Sequence, residues 1–125
     1  MSIETPLHRV EGMGSAKTGT KDFWHQRVSA VALVPLAIWF VWSALHLVGA
    51  AQADVIAFLA APLNAILMLL FVGTGLYHMM IGMQVIVEDY FHGGWKIAFV
   101  ILARFFGWGL GAVVAFALLK IAFGH

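Results

Sequence analysis

The sequence predicts an all-α membrane protein with three transmembrane helices and a cytoplasmic N-terminus. Of its 125 residues, 62% are hydrophobic and only 10% are charged, whereas about a quarter of the residues in a soluble domain are charged. Aromatic residues make up 14% of the chain, which excludes a disordered protein, because disordered segments are polar and poor in aromatics. The apolar residues also fall into three long runs separated by polar turns.

The first apolar run follows a polar leader. We divide the chain into an N-terminal arm, residues 1–21, and a three-helix transmembrane anchor domain, residues 22–125. Small and polar residues dominate the arm, so it buries too little apolar surface to order itself. Val28–Leu47 is almost wholly apolar, and about 20 such residues cross a hydrocarbon core of about 30 Å. Pro35 lies inside this span, where membrane helices tolerate proline.

Two further spans follow. Asp54 is predicted to cap a short helix before the second span, Leu63–Val87, which contains no Lys, Arg, Asp or Glu. Gly93-Gly94 marks a turn, and the third span runs from about Trp95 to Ile121. A secretory signal is the rival interpretation of the first span. We reject it because the leader is long, the run exceeds the usual 7–15 residues, and two spans follow.

The orientation follows from the distribution of basic residues. Arg9, Lys17, Lys21 and Arg27 precede the first span, and the loop after that span has no Lys or Arg. Lys96 follows the second span. The positive-inside rule therefore places the N-terminus and the second loop in the cytoplasm.

Composition and motifs exclude several function classes. The chain has no cysteine, so disulfides, iron–sulfur ligation and thiol nucleophiles are excluded. A net charge of +1 provides no basic patch for nucleic acid. The motifs typical of soluble hydrolases and nucleotide-binding enzymes are absent, and we expect any catalysis to be shared with other chains.

His78 lies inside the second span, where an ionisable side chain is costly and is a functional candidate. One interpretation is a neutral histidine that hydrogen-bonds a neighbouring helix, and the other is a ligand of haem iron. Gly75 and Gly82 share its helix face, where they provide room for a flat macrocycle or allow close helix packing. A second axial ligand would have to come from elsewhere, and His46 is a weaker candidate for it.

Two polar residues at the cytoplasmic edge of the spans each have a structural and a ligand-binding interpretation. Arg27 is either a topology anchor or a partner for a carboxylate such as a haem propionate. Tyr90 belongs either to the aromatic belt or, beside Asp89, to a site that hydrogen-bonds a quinone carbonyl. His25 lies next to this edge.

The third span carries small residues every four positions, namely Ala103, Gly107, Gly111 and Ala115. Such a ridge lets another helix approach closely. The pattern predicts packing and not chemistry.

Two segments together resemble a known family. They are His78–Tyr90, with the sequence HMMIGMQVIVEDY, and Asp22-Phe23 followed by Arg27-Val28-Ser29-Ala30, and 51 residues separate Arg27 from His78. This pattern resembles the small cytochrome b membrane-anchor subunit, the D subunit, of succinate dehydrogenase, respiratory complex II. The resemblance covers roughly residues 21–123, and the leader resembles alphaproteobacterial members.

The resemblance implies a role for four residues. His78 would be one axial ligand of a haem b, and a companion cytochrome b anchor subunit would supply the other. Arg27 would lie near the haem propionates. Tyr90 would hydrogen-bond ubiquinone, with Asp89 adjacent. The resemblance assigns no role to His25, to His46 or to the arm.

The resemblance also implies partners and a location. A flavoprotein subunit and an iron–sulfur subunit would oxidise succinate and pass electrons to the quinone, in the bacterial inner membrane. Two other hypotheses stay open at this point. One is a small transporter that uses His78 and Asp89 as a proton relay, and the other is a structural adaptor whose third helix recruits enzymes.

Overall fold

A computed structural model describes residues 5–7 and 18–124 of the chain. Four helices joined by short connections span residues 18–124. They are α1 (Thr18–Leu47), α2 (Gln52–Ala60), α3 (Pro62–Tyr90) and α4 (Gly94–Phe123). Three of them, α1, α3 and α4, are long and apolar enough to cross a membrane. The all-α class with three spans is therefore confirmed, while the cytoplasmic N-terminus stays a prediction. Most of the predicted arm lies outside the described residues.

The helix ends follow from local sequence chemistry. α1 begins at Thr18, ten residues before the apolar run, and continues through Pro35. Pro62 occupies the first turn of α3, where its missing N–H costs no hydrogen bond. Gly93 separates α3 from α4 with φ +71°, a backbone conformation that glycine adopts without steric cost.

The predicted cap of α2 is wrong in position. Ala51 occupies the N-cap, without a side-chain hydrogen bond, and Asp54 lies inside the first turn. A carboxylate there still interacts favourably with the N-terminal end of the helix dipole. Asn64 donates instead from the start of α3 to the carbonyl of Phe58, at 3.0 Å, and this bond ties α2 to α3.

α3 packs against both α1 and α4, which form no comparable interface with each other. The α1–α3 pair is antiparallel. The rings of Phe40 and Phe71 stack at 4.7 Å near one end, and Ser29 meets His78 further along. This register sets the polar beginning of α1, residues 18–27, beside the last turns of α3.

The small-residue ridge of α4 packs on α3, as predicted. A Cβ added at Gly107 would lie 2.5 Å from the Sδ of Met80, and one at Gly111 would lie 3.3 Å from a methyl carbon of Leu76. Gly107 is buried in this contact. The absence of side chains at these positions therefore sets the close approach of the two helices.

Replacing Gly107 by alanine is expected to destabilise the α3–α4 pair. The new methyl would overlap Met80 at both its Sδ and its Cγ, the latter at 2.7 Å, and overpacking of this kind costs about 1–3 kcal/mol. Thermal unfolding of the purified protein measures the change. Gly109→Ala is the matched control, because a Cβ there has nothing within 4 Å. Equal melting temperatures for the two variants would contradict the packing argument.

Very little of the described chain is buried. The buried apolar side chains are those of Ala65, Val87 and Leu118, all at or below 6% exposure. Large apolar side chains are exposed along all three spans. Because water would disfavour such a surface, the helices present it to lipid or to other membrane subunits.

Candidate functional site

The candidate site is a cleft of about 580 Å³ between α1 and α3. Ligand pockets commonly measure about 300–1,000 Å³. Its walls come from one face of each helix: Asp22, Phe23, Gln26, Arg27 and Ala30 from α1, and His78, Ile81, Gly82, Val85 and Glu88 from α3. The structure thus brings together Arg27 and His78, two of the four residues that the sequence predicted as site residues.

His78 is half-buried and hydrogen-bonded to α1 through its Nδ1, which lies 2.9 Å from the Oγ of Ser29. Its Nε2 makes a longer contact of 3.4 Å with the Nε2 of Gln26. The Ser29 hydroxyl in turn donates to the backbone carbonyl of Gln26, at 3.0 Å. These bonds hold the imidazole ring against α1 at the wall of the cleft.

Arg27 is exposed and packs on its own helix. Its guanidinium carbon lies 5.0 Å from the ring centre of Phe23, one turn earlier, a distance typical of a cation–π contact. This contact holds the arginine at the rim of the cleft. A guanidinium can form two parallel hydrogen bonds with a carboxylate, and Arg27 is the one arginine or lysine among the described residues that line the cleft, which also include Asp22 and Glu88.

The two glycines near His78 have different surroundings. A Cβ at Gly75 would make an ordinary contact with Leu33 of α1 at 3.8 Å, and Gly75 does not line the cleft. Gly82 lines the cleft, and a Cβ there would lie 3.7 Å from the side-chain nitrogen of Gln26. Only Gly82 therefore keeps space open beside the histidine.

A chain of hydrogen bonds joins α4 to the cleft. Arg104 donates to the Oε1 of Gln84 at 3.1 Å, and the Nε2 of Gln84 donates to Glu88 at 3.0 Å. Glu88 lines the cleft. The guanidinium of Arg104 on α4 is thereby linked through Gln84 to the carboxylate of Glu88 in the cleft. The sequence did not predict this connection.

Asp89 and Tyr90 lie at the end of α3 and are exposed, Tyr90 to 78%. The cleft lining contains neither of them and takes Glu88 from this part of the helix. The structure therefore does not bring these two residues together with Arg27 and His78 in one pocket.

His46 cannot share an iron with His78. It lies 17 residues beyond Ser29 on α1, or roughly 26 Å along the axis at a rise of about 1.5 Å per residue. Its Nδ1 donates to the carbonyl of Trp42 at 2.9 Å. The structure therefore excludes His46 as a second axial ligand beside His78.

His25 has a local partner. Its Nδ1 and the hydroxyl of Tyr77, the residue before His78, share a hydrogen bond of 2.7 Å. This pair adds a second polar link between α1 and α3, outside the lining of the cleft.

Sequence reasoning did not identify Ser29 and Gln26 as partners of His78. One signal was available, because Asp22, Gln26 and Ser29 recur at helical spacing and share one face of α1. Such a polar face inside a membrane protein predicts a polar partner on a neighbouring helix. The identity of the partner depends on the register of two helices whose contacting residues, Ser29 and His78, lie 49 positions apart.

Comparisons with known proteins agree with this architecture. Residues 1–120 match the family model described as succinate dehydrogenase/fumarate reductase transmembrane subunit. A protein of Paracoccus denitrificans named succinate dehydrogenase hydrophobic membrane anchor subunit is 36% identical, over 99% of this chain and 96% of its own length. Proteins of the same name from Rickettsia bellii and Rickettsia conorii are 38% and 31% identical, over 66% and 70% of this chain and 66% and 71% of their own lengths.

No solved structure matches the chain. The family model spans nearly the whole sequence, and the Paracoccus relative is similar over almost all of both chains. The chain therefore belongs to the family of succinate dehydrogenase/fumarate reductase transmembrane subunits, among its hydrophobic membrane-anchor members.

Proposed function

We propose that this anchor subunit holds succinate dehydrogenase in the bacterial inner membrane, shares a haem b with a companion anchor subunit, and contributes to a ubiquinone site. The observation that carries the proposal is the presence of Arg27 and His78 in one cleft between α1 and α3. The flavoprotein and iron–sulfur subunits of the complex would oxidise succinate, and this chain would contribute binding groups at the membrane end of the electron path.

The residues of the cleft fit a haem. The imidazole of His78 can serve as an axial ligand when neutral, and its ring is already oriented by Ser29. Gly82 leaves the wall beside it without side-chain bulk. Arg27 at the rim suits a propionate. Within residues 5–7 and 18–124 no three His, Cys, Asp or Glu side chains cluster as a metal site, and a haem requires only one ligand from this chain.

Each of these residues has a distinct task in the proposed site. His78 would hold the iron through its imidazole. Arg27 would pair with the carboxylates of the group at the rim of the cleft. A bound haem supplies one-electron transfer at this position.

The quinone part of the proposal rests on Tyr90 and Asp89. Both are exposed at the end of α3, where a site can be completed by neighbouring subunits. The phenol of Tyr90 would donate a hydrogen bond to a quinone carbonyl, and Asp89 would exchange the protons that quinone reduction requires.

The test of the proposed function is a reduced-minus-oxidised absorption spectrum of the membrane complex purified through this chain. We expect flavoprotein, iron–sulfur and second anchor subunits to co-purify, and a b-type signal to appear. A complex with all four subunits and no b-type signal would overturn the haem assignment alone. A chain that purifies without these partners would favour the transporter or adaptor hypothesis.

Tyr90→Phe is expected to slow ubiquinone reduction by succinate about 10- to 100-fold. Loss of a hydrogen bond to a group that develops charge costs about 1.5–3 kcal/mol. Succinate oxidation with an artificial electron acceptor should continue, because this assay bypasses the quinone. Tyr77→Phe is the control, since the other tyrosine of the chain bonds His25 and lies outside this end of α3. Unchanged quinone reduction in Tyr90→Phe would assign Tyr90 to the aromatic belt.

A further inference from the structure

Ser29 is a buried polar residue of α1, with 5% of its surface exposed, and its hydroxyl has two partners. It lies 3.0 Å from the backbone carbonyl of Gln26 and 2.9 Å from the Nδ1 of His78. A carbonyl oxygen can only accept a hydrogen bond, and a serine in a helix commonly donates to the carbonyl one turn earlier. With the single proton of the hydroxyl in the bond to Gln26, the serine oxygen is left as an acceptor.

The use of that proton determines the bond to His78. Since the Ser29 oxygen has no second proton to donate, it accepts from Nδ1, and the neutral imidazole carries its proton on Nδ1. Nε2 then keeps its lone pair. The amide nitrogen of Gln26 lies 3.4 Å from Nε2, and the Oε1 of the same amide is buried without a hydrogen-bond partner among the described residues.

We propose that Ser29 is a positioning residue that fixes the tautomer and ring orientation of His78, so that Nε2 offers its lone pair to an iron once the Gln26 amide moves away from it. The inference rests on the haem-binding function proposed above. A ligating histidine commonly donates its other N–H to an oxygen, which fixes the ring and raises the basicity of the ligand. Here the oxygen belongs to a buried serine on the facing helix. The packing of α1 on α3 therefore orients the imidazole of His78 before a ligand binds.

The proposal predicts a change in haem potential as well as in haem affinity. Loss of the Nδ1–H bond makes the imidazole a weaker electron donor, which disfavours the ferric state, so the haem midpoint potential rises. Haem affinity falls about 10- to 100-fold, the usual effect of removing such a partner. A serine that only filled space would leave the midpoint potential unchanged.

The experiment compares four substitutions in the purified four-subunit complex. Ser29→Ala removes the acceptor, Ser29→Cys replaces it by a weakly accepting sulfur, and Ser29→Thr retains the hydroxyl. Ser43→Ala is the matched control, because Ser43 is the other buried serine of α1, at 2% exposure, and its Oγ has no hydrogen-bond partner among the described residues. Potentiometric titration of the b-type absorption gives the midpoint potential, and titration of haem into complex from haem-deficient cells gives the affinity.

The expected order of midpoint potentials is wild type and Ser29→Thr lowest, Ser29→Cys higher and Ser29→Ala highest, with Ser43→Ala equal to wild type. If the alanine variant does not assemble, the comparison rests on the other two variants, and Ser29→Cys should have a higher midpoint potential than Ser29→Thr. Wild-type potential and affinity in both Ser29→Cys and Ser29→Ala would overturn the positioning role while leaving the haem assignment intact. A b-type signal that survives in His78→Ala would instead overturn the haem function on which the inference rests.

Discussion

Complexes that carry His78→Ala are expected to lose the b-type absorption completely, with flavoprotein and iron–sulfur subunits still attached to the anchor. In the proposed site the substitution would remove an iron ligand directly, so the loss should exceed the roughly 10- to 100-fold that follows from removing an outer partner. His46 cannot replace it, because His46 lies roughly 26 Å further along α1 by the helical rise. Difference spectra and haem content per flavin measure the outcome.

His46→Ala is the matched control for this substitution. His46 is also a histidine of a membrane span, and its Nδ1 also donates to an oxygen, the carbonyl of Trp42. Its removal should leave the haem spectrum unchanged. Added imidazole should partly restore the signal in His78→Ala, because the small ligand fits the space that the side chain vacates. An unaltered spectrum in His78→Ala without imidazole would show that the iron is held elsewhere.

The three spans were predictable because membrane thickness sets a length scale. About 20 apolar residues at 1.5 Å each are required to cross the core, and the three runs of the chain satisfy this requirement regardless of how they pack. The start of α1 at Thr18 was harder to predict from the sequence. Polar residues can extend a helix as well as end it, and hydropathy does not distinguish these outcomes.

The site was predictable in part, for a related reason. The cost of an ionisable group inside a span singled out His78, and the resemblance paired it with Arg27, which lines the same cleft. The contacts of Ser29, and the chain from Arg104 through Gln84 to Glu88, depend on how each helix is rotated about its axis. The rotation of each helix about its axis is set by packing between helices, such as that of Gly107 on Met80. The composition of a single helix carries little information about this rotation.

Gly82→Leu is expected to abolish haem binding without removing any ligand. Gly82 lies one turn from His78 on the same face of α3 and lines the cleft. A Cβ there reaches ordinary contact with Gln26, at 3.7 Å, so Gly82→Ala should retain the haem. The leucine adds three more carbons beyond that point. Since α1 closes the opposite wall, these carbons must extend into the space that a planar group beside His78 requires.

Gly73→Leu distinguishes this steric block from general damage to α3. Gly73 is exposed on the same helix, and a Cβ there has nothing within 4 Å, so the same side chain is added without entering the cleft. We expect full haem content in Gly73→Leu, wild-type content in Gly82→Ala and none in Gly82→Leu, measured per flavin in complexes of equal subunit composition. Full haem content in Gly82→Leu would show that the group lies outside the α1–α3 cleft, even where His78→Ala had shown that the histidine is needed.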